Sequence, residues 1–345
     1  MPGRKLFVTL VGCLVLGGLV LAQGPKKDVG AIGPLPPGVN QVPNVDDPTK
    51  PQTTLAIDVD LVTVDVVVTN KNNDPIQGLE REHFKVFDND VEQTITNFSP
   101  TDAPLTVVVL VEFGDTFGYY ADDVVGSAAG FISSMRDEDW GALVAYDIRP
   151  EILIDFTKDK NSLLNGLRRL RVPAYHETSL YDAVYETLTR LDGVDGKKAI
   201  FLLSTGLDTL SRHNFSDMLK KAEASDTVIY PVSMGQLARL YLESRLGPET
   251  NIEFLQADNT LRAIAEASGG MAFYPRFAGE YRGIYETVST HLRNQYSIGF
   301  APKNLKNDGK FHKLRVEVAS LDVNKDGKPD QLKARHRKGY YAPKS

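Results

Sequence analysis

The apolar and polar positions along the chain change their period twice. Thr54–Asn70 (TLAIDVDLVTVDVVVTN) alternates apolar with polar residues and is rich in Val and Thr, which predicts a strand with one buried face. Asn72-Asn73-Asp74-Pro75 reads as a turn, and Glu82–Phe87 and Glu92–Phe98 flank Asp88-Asn89-Asp90 as a second hairpin. From Leu105 the alternation stops. Leu105–Thr116 begins as a continuous apolar run, ends that run at Glu112 and continues into a Gly-Asp-Thr turn. Such a run, bounded by turn residues, predicts a strand buried on both faces and central in a parallel sheet.

Helical and extended patterns then alternate. Helices are predicted over 121–135, 161–170, 179–191, 215–224, 261–267 and 281–292, and strands over 141–146, 152–156, 199–203, 227–232 and 271–274. In 179–191, Leu180, Ala183, Val184, Leu188 and Leu191 fall on one helical face. Strands alternating with helices predict a doubly wound, mostly parallel α/β sheet. After Asn294 the β pattern returns at 295–300, 312–318 and 331–341. The expected organisation is therefore an α/β unit over 101–294 between two β segments, 54–100 and 295–345.

The first residues add a destination. Residues 1–22 have a basic start (Arg4, Lys5), an apolar stretch and small residues toward Ala22, the pattern of a secretory signal peptide. The expected location is secreted or periplasmic, with no transmembrane segment in the mature chain. Leu10-Val11-Gly12-Cys13 also resembles a lipobox, which would make Cys13 a lipid anchor; an uncleaved anchor is a third reading. Residues 23–53 are rich in Pro, Gly and Asn without apolar periodicity and read as a flexible linker. Cys13 is the only cysteine, so a chain cleaved at Ala22 has no disulfide and no thiolate ligand. The formal charge is −6, and beyond residue 22 the chain holds 37 basic against 45 acidic residues, a balance that argues against nucleic acid as partner.

Three stretches carry a resemblance: Gly78–Asn89 (GLEREHFKVFDN), Tyr181–Val184 (YDAV) and Arg337–Pro343 (RKGYYAP). With the order of the elements, they make the chain similar to von Willebrand factor type A domain proteins, and more narrowly to a bacterial secreted "VWFA-related" family, over residues 54–343. The resemblance implies a type A α/β domain inserted in a small β-sandwich-like domain, and a non-catalytic protein-binding role. It also implies a divalent-ion site, Mg²⁺ or Mn²⁺, at the carboxyl ends of the strands. In that pattern an Asp-x-Ser-x-Ser loop, a Thr and an Asp supply the ligands, as a hard cation held by oxygens and water requires.

Carried over by position, the first Asp falls on Glu112, the first Ser on Gly114 and the second on Thr116; the Thr falls on Thr178 and the last Asp on Thr205. Asp115 and Asp208 lie close in sequence. One carboxylate and one hydroxyl of the ligand set are missing, so the expectation is a degenerate adhesion site, read either as a weakened ion site or as a cleft of solvated acids. A second candidate is Asp322-Val323-Asn324-Lys325-Asp326-Gly327-Lys328-Pro329-Asp330, where Asp322, Asn324, Asp326 and Asp330 match the start of a Ca²⁺ loop. Lys333 stands where an EF-hand needs Glu, and the same residues also suit a plain hairpin turn.

No nucleophile elbow, P-loop or dinucleotide fingerprint occurs. A haloacid dehalogenase-type phosphatase needs Asp at two places held by Glu112 and Gly114. His176 and Asp182 flank Thr178 without a ligand or catalytic spacing, and Lys333, Arg335, Arg337 and Lys338 read as one solvated strand face. The expected partner is another protein. Other readings are an envelope-assembly protein without a sheet-edge ligand and an ion-dependent adhesion protein.

Overall fold

The computed structural model describes residues 61–101, 103–114, 117–170, 177–235, 248–303, 308–322 and 329–343. The signal-peptide, lipobox and linker readings lie outside them, as do residues 54–60 of the first expected strand.

The run at Leu105 forms β5 (Leu105–Glu112), and all eight of its residues are buried. It lies at the centre of a five-stranded sheet with β6 (Trp140–Tyr146), β7 (Pro150–Thr157), β8 (Lys197–Ser204) and β9 (Val228–Ser233), in the order β7-β6-β5-β8-β9. β5 pairs in parallel with β6 and β8, β8 with β9, and only the edge strand β7 runs antiparallel. Period two divides the apolar run between two cores. Val107, Val109 and Val111 pack against α1 (Phe117–Ser134), α2 (Lys160–Leu167) and α6 (Tyr281–Arg293). Val108 and Leu110 pack against α3 (Leu180–Leu191), α4 (Phe215–Ala224) and α5 (Pro248–Ser268). Each buried Val or Leu contributes about 1.5–3 kcal/mol, and helices on both faces explain why this strand does not alternate.

The two flanking segments build a β-sandwich from both ends of the described chain. One sheet has the order β12-β1-β10-β4, with β1 (Val62–Thr69), β4 (Ile95–Thr101), β10 (Gln295–Phe300) and β12 (Lys333–Arg335). The other is β13-β11-β2-β3, with β2 (Phe84–Asp88), β3 (Val91–Gln93), β11 (Phe311–Val318) and β13 (Gly339–Tyr341). Val64, Val66, Ile298 and Phe300 from the first sheet share one core with Phe84, Val86, Leu314 and Tyr340 from the second. The α/β unit leaves β4 and returns through β10, and Thr101 pairs with Gln295. It is an insertion whose two ends are neighbours in one sheet.

Four elements differ from the sequence reading. The strand expected over 92–98 breaks at Thr94: β3 pairs with β2, whereas β4 crosses to the other sheet and pairs with β10. The strand expected over 331–341 likewise divides into β12 and β13, one in each sheet. A chain that changes sheets keeps its alternation, so the break leaves no mark in the pattern. The helix at 261–267 is the end of the 21-residue α5, whose first half carries little apolar periodicity. The expected edge strand at 271–274 is reduced to one parallel bridge, Val232 with Phe273.

Candidate functional site

Glu112 ends β5 opposite Tyr146 at the end of β6, and Val111 pairs with Leu203 just before Ser204. This register brings three strand ends together at the sheet's carboxyl edge, where open α/β sheets bind ligands. Glu112 is buried, and its carboxylate is enclosed by donors. Oε2 accepts from Ser204 Oγ at 2.7 Å, from the Thr205 amide at 2.8 Å and from the Tyr146 hydroxyl at 3.2 Å. Oε1 accepts from Thr205 Oγ1 at 2.7 Å. Tyr146 also lies 2.9 Å from Ser204 Oγ, which accepts in turn from the Gly206 amide at 2.9 Å. Burial pushes the Glu112 carboxyl above its ordinary range, and the hydrogen bonds from Ser204, Thr205 and Tyr146 oppose that shift.

The turn after Thr205 is fixed by Gly206. Its φ is +85°, and a Cβ there would stand 2.5 Å from the Ala257 carbonyl oxygen of α5. The turn thus packs onto α5 and returns to Thr178. Thr178 Oγ1 donates to the Leu207 carbonyl at 3.0 Å, its amide donates to Thr209 Oγ1 at 2.8 Å, and its carbonyl accepts from the Thr209 and Leu210 amides. Asp208 caps α3 from outside the helix: Oδ1 accepts from the Tyr181 amide at 3.0 Å and from Ser211 Oγ at 2.5 Å.

Of the expected ion ligands, Glu112 and Thr205 are therefore in direct contact, Thr178 is held by the neighbouring loop and Asp208 is engaged at a helix end. Thr116 and Asp115 lie outside the described residues. Among the described residues this set therefore places one carboxylate at the centre, with the hydroxyls of Thr205 and Thr178 donating to protein oxygens. Among the described residues no three His, Cys, Asp or Glu side chains converge as a metal-holding group.

Sequence reasoning missed Tyr146 and Ser204. Both end strands that flank β5, so strand register was the available signal. It also left Asp182 without its partner. Asp182 is buried on the first turn of α3 and accepts from the Arg212 amide at 3.0 Å, Arg212 Nε at 3.1 Å, the His213 amide at 2.9 Å and His213 Nδ1 at 2.6 Å. Burial raises its carboxyl, but these donors outweigh burial and bring it down to about 2. His176 lies outside the described residues. In the second candidate, Leu321 and Asp330 form an antiparallel bridge, with the Asp330 amide 2.8 Å from the Leu321 carbonyl. Asp322 and Asp330 thus stand at the base of a pinched loop, while Asn324 and Asp326 lie outside the described residues.

The basic residues near the end are not one solvated face. Arg335 donates to Asn73 Oδ1 at 3.0 Å, Arg337 to the Thr63 carbonyl at 2.8 Å and Lys338 to Glu223 at 3.4 Å. They tie the sandwich to itself and to α4. Gly269, at φ +84°, lets the end of α5 lie directly on the His336 backbone.

A cleft of about 330 Å³ opens beside Glu112, lined by Phe113, Tyr146, Asp147, Arg149, Glu151 and Arg169 among others. Its lining mixes the apolar Phe113, Leu153 and Leu170 with the charged Asp147, Arg149, Glu151 and Arg169.

The chain is similar to several solved structures. The structural neighbours are von Willebrand factor type A proteins. An aerotolerance-related membrane protein from Bacteroides fragilis is 12% identical, with 55% of this chain and 98% of that chain covered at a TM-score of 0.42. A von Willebrand factor type A protein from Catenulispora acidiphila is 10% identical, with 74% and 72% covered at 0.45. The vWF domain of a type V pili tip protein from Porphyromonas gingivalis is 14% identical, with 56% and 97% covered at 0.42. No protein-family model and no curated protein matches the sequence. Among the described residues no helix is long and apolar enough to cross a membrane.

Proposed function

We propose that this chain is a non-catalytic protein-binding module, exported to the periplasm or the exterior, whose contact face is the carboxyl edge of the parallel sheet. The observation that carries the reading is the closed hydrogen-bond cage on Glu112. Four donors occupy the carboxylate at the position where the type A pattern places an ion-coordinating Asp. The cage holds the three strand ends together, and the adjoining cleft at Phe113, Arg149 and Arg169 offers the contact surface. The apolar run at residues 1–22 supports export. Ca²⁺ at Asp322–Asp330 is a separate proposal, supported by the oxygen spacing and the pinched loop base.

Two measurements test this. Calorimetric titration with Mg²⁺ and Mn²⁺ is expected to give no site near Glu112; a stoichiometric site removed by Thr178→Ala would favour ion-dependent adhesion instead. Capture from the native secretome is then compared for the wild type and Arg149→Glu/Arg169→Glu. A partner lost in the variant supports the cleft, and identical capture profiles would favour an envelope-assembly role with no ligand at the sheet edge.

A further inference from the structure

The sandwich meets the α/β unit through a seat of polar groups, and the hydrogen bonds of two histidines in that seat fix both rings as neutral. His336 lies between β12 and β13, beside β11. Its Nε2 is 3.1 Å from the Val316 amide and its Nδ1 is 2.7 Å from the Arg337 carbonyl. An amide N–H only donates and a carbonyl only accepts, so Nε2 carries the lone pair and Nδ1 the proton. The ring fills a place in the strand ladder: the Leu314 amide donates to the Lys338 carbonyl, and two residues on the Val316 amide donates to the imidazole. The end of α5 is pressed onto this point. A Cβ on Gly269 would stand 2.4 Å from the His336 carbonyl carbon, and the Lys338 amide donates to the Ala267 carbonyl at 3.3 Å.

His291, on α6, is fully buried. Its Nε2 is 2.9 Å from the Asn73 carbonyl in the turn after β1, so this nitrogen is the donor. Nδ1 then holds the lone pair, buried and without a partner among the described residues. Arg335 connects the two histidines. Its guanidinium donates to Asn73 Oδ1 at 3.0 Å and to the carbonyl of Gly270, next to Gly269, at 3.5 Å.

A second proton has no place at either ring. On His336 Nε2 it would set an N–H against the Val316 N–H. On His291 Nδ1 it would bury a charged donor with no acceptor. Burial is the main influence holding both imidazoles below their ordinary range. Arg337 beside His336 and Arg335 beside His291 act in the same direction, and Asp74 opposes Arg335. The other charges nearby are engaged elsewhere: Arg315 pairs with Glu317 on either side of Val316, Lys338 pairs with Glu223 of α4, and Tyr230 and Glu266 face Arg335.

We propose that this seat is an acid-operated latch: protonation of His336 and His291 releases the β12–β13 connection and the Asn73 turn from the α/β unit. A released ring takes up its proton at the ordinary value of about 6.5. The closed seat therefore has its full advantage above that pH and loses it as pH falls below. One pH unit lower, the open form gains about tenfold for each histidine freed. The latch is separate from the Glu112 cleft and does not rest on the function proposed there.

The test is amide exchange of the full chain at pH 7.5 and 5.5, read as protection factors so that the pH dependence of the exchange chemistry cancels. Protection at the Val316 and Lys338 amides should fall about tenfold at the lower pH, while that at Val108 and Leu110 in β5 holds. His291→Gln/His336→Gln should lose this response, because a side-chain amide donates and accepts at the same places without titrating. NMR titration of the wild-type imidazoles needs no variant, and both should titrate below an ordinary histidine. Equal protection at the two pH values, a fall shared equally by β5, a fall that persists in the double variant, or imidazoles titrating at or above the ordinary value would each overturn the proposal.

Discussion

Glu112 and Asp182 are both buried carboxylates at the carboxyl edge of the parallel sheet, each enclosed by four donated hydrogen bonds, and their acidities move in opposite directions. Glu112 is held by two side-chain hydroxyls of Ser204 and Thr205, a phenol and one amide, and burial prevails. Asp182 is held by two amides, a guanidinium and an imidazole, and the donors prevail. An equal number of hydrogen bonds therefore does not produce an equal stabilisation of the charge. At Glu112 the hydroxyls and one amide offset only part of the desolvation cost, whereas at Asp182 the Arg212 and His213 amides lead, with the His213 and Arg212 side chains behind them, and together they exceed it. The first pocket organises strand ends around a carboxyl that resists ionisation; the second locks a readily ionised helix start to a loop.

The largest test of this contrast is Glu112→Ala. It leaves Ser204, Thr205 and Tyr146 donors buried without their acceptor, at an expected cost of about 3 kcal/mol in chemical denaturation. Glu112→Gln, which keeps the volume, should cost less. A loss under 1 kcal/mol for the Ala variant, read against about 1–3 kcal/mol for one orphaned donor, would show that the cage is not structural.

The next effect is on pH dependence. Asp182 has a folded value of about 2, below its unfolded value, so its contribution is present above pH 4 and is lost as pH falls toward 2. That contribution is about 2 kcal/mol. Glu112 has the opposite sign: its raised folded value favours the fold below the unfolded value and that favour is lost as pH rises. Denaturation curves from pH 3 to 8 should therefore lose acid sensitivity in Asp182→Asn and lose part of the decline above pH 5 in Glu112→Gln. Parallel shifts in both variants would break the comparison.

Arg212→Ala isolates the charged donor. Because the Arg212 side chain is 76% exposed, solvent screens it, and the expected loss is about 0.5–1 kcal/mol. The NMR titration of Asp182 should move upward while Glu112 stays fixed. The smallest expected effect concerns the loop at 322–330. Ca²⁺ titration of Asp326→Ala should lose any heat seen with the wild type while leaving both carboxylates unchanged.

The α/β unit was legible where a residue's neighbours in sequence decide its state. Leu105–Val111 reads as a central strand because both its faces are buried, and the Asn89-Asp90 turn reads as a hairpin because both residues adopt positive φ, at 46° and 64°. The sheet changes at Thr94 and after Arg335 were not legible, because alternation continues through them. At the site, Glu112, Thr178 and Thr205 were visible by position. Tyr146 and Ser204 were not, since their role depends on which strands lie beside β5. Arg335 and Arg337 misled for the same reason: alternating basic residues resemble a solvated face until the packing of Asn73, Thr63 and α4 is known.

The insertion has a consequence for the order of synthesis. The α/β unit spans consecutive residues from β5 to α6, so it can fold as soon as the ribosome has released it. The sandwich cannot: β1 must wait for β10, nearly the whole insertion later, and β2 must wait for β11. During translation the first strands are thus exposed edges, held apart from their partners by a finished globule. The finished insertion then serves as a clip, because Thr101 and Gln295 emerge from it already side by side and align the two late-meeting halves in register.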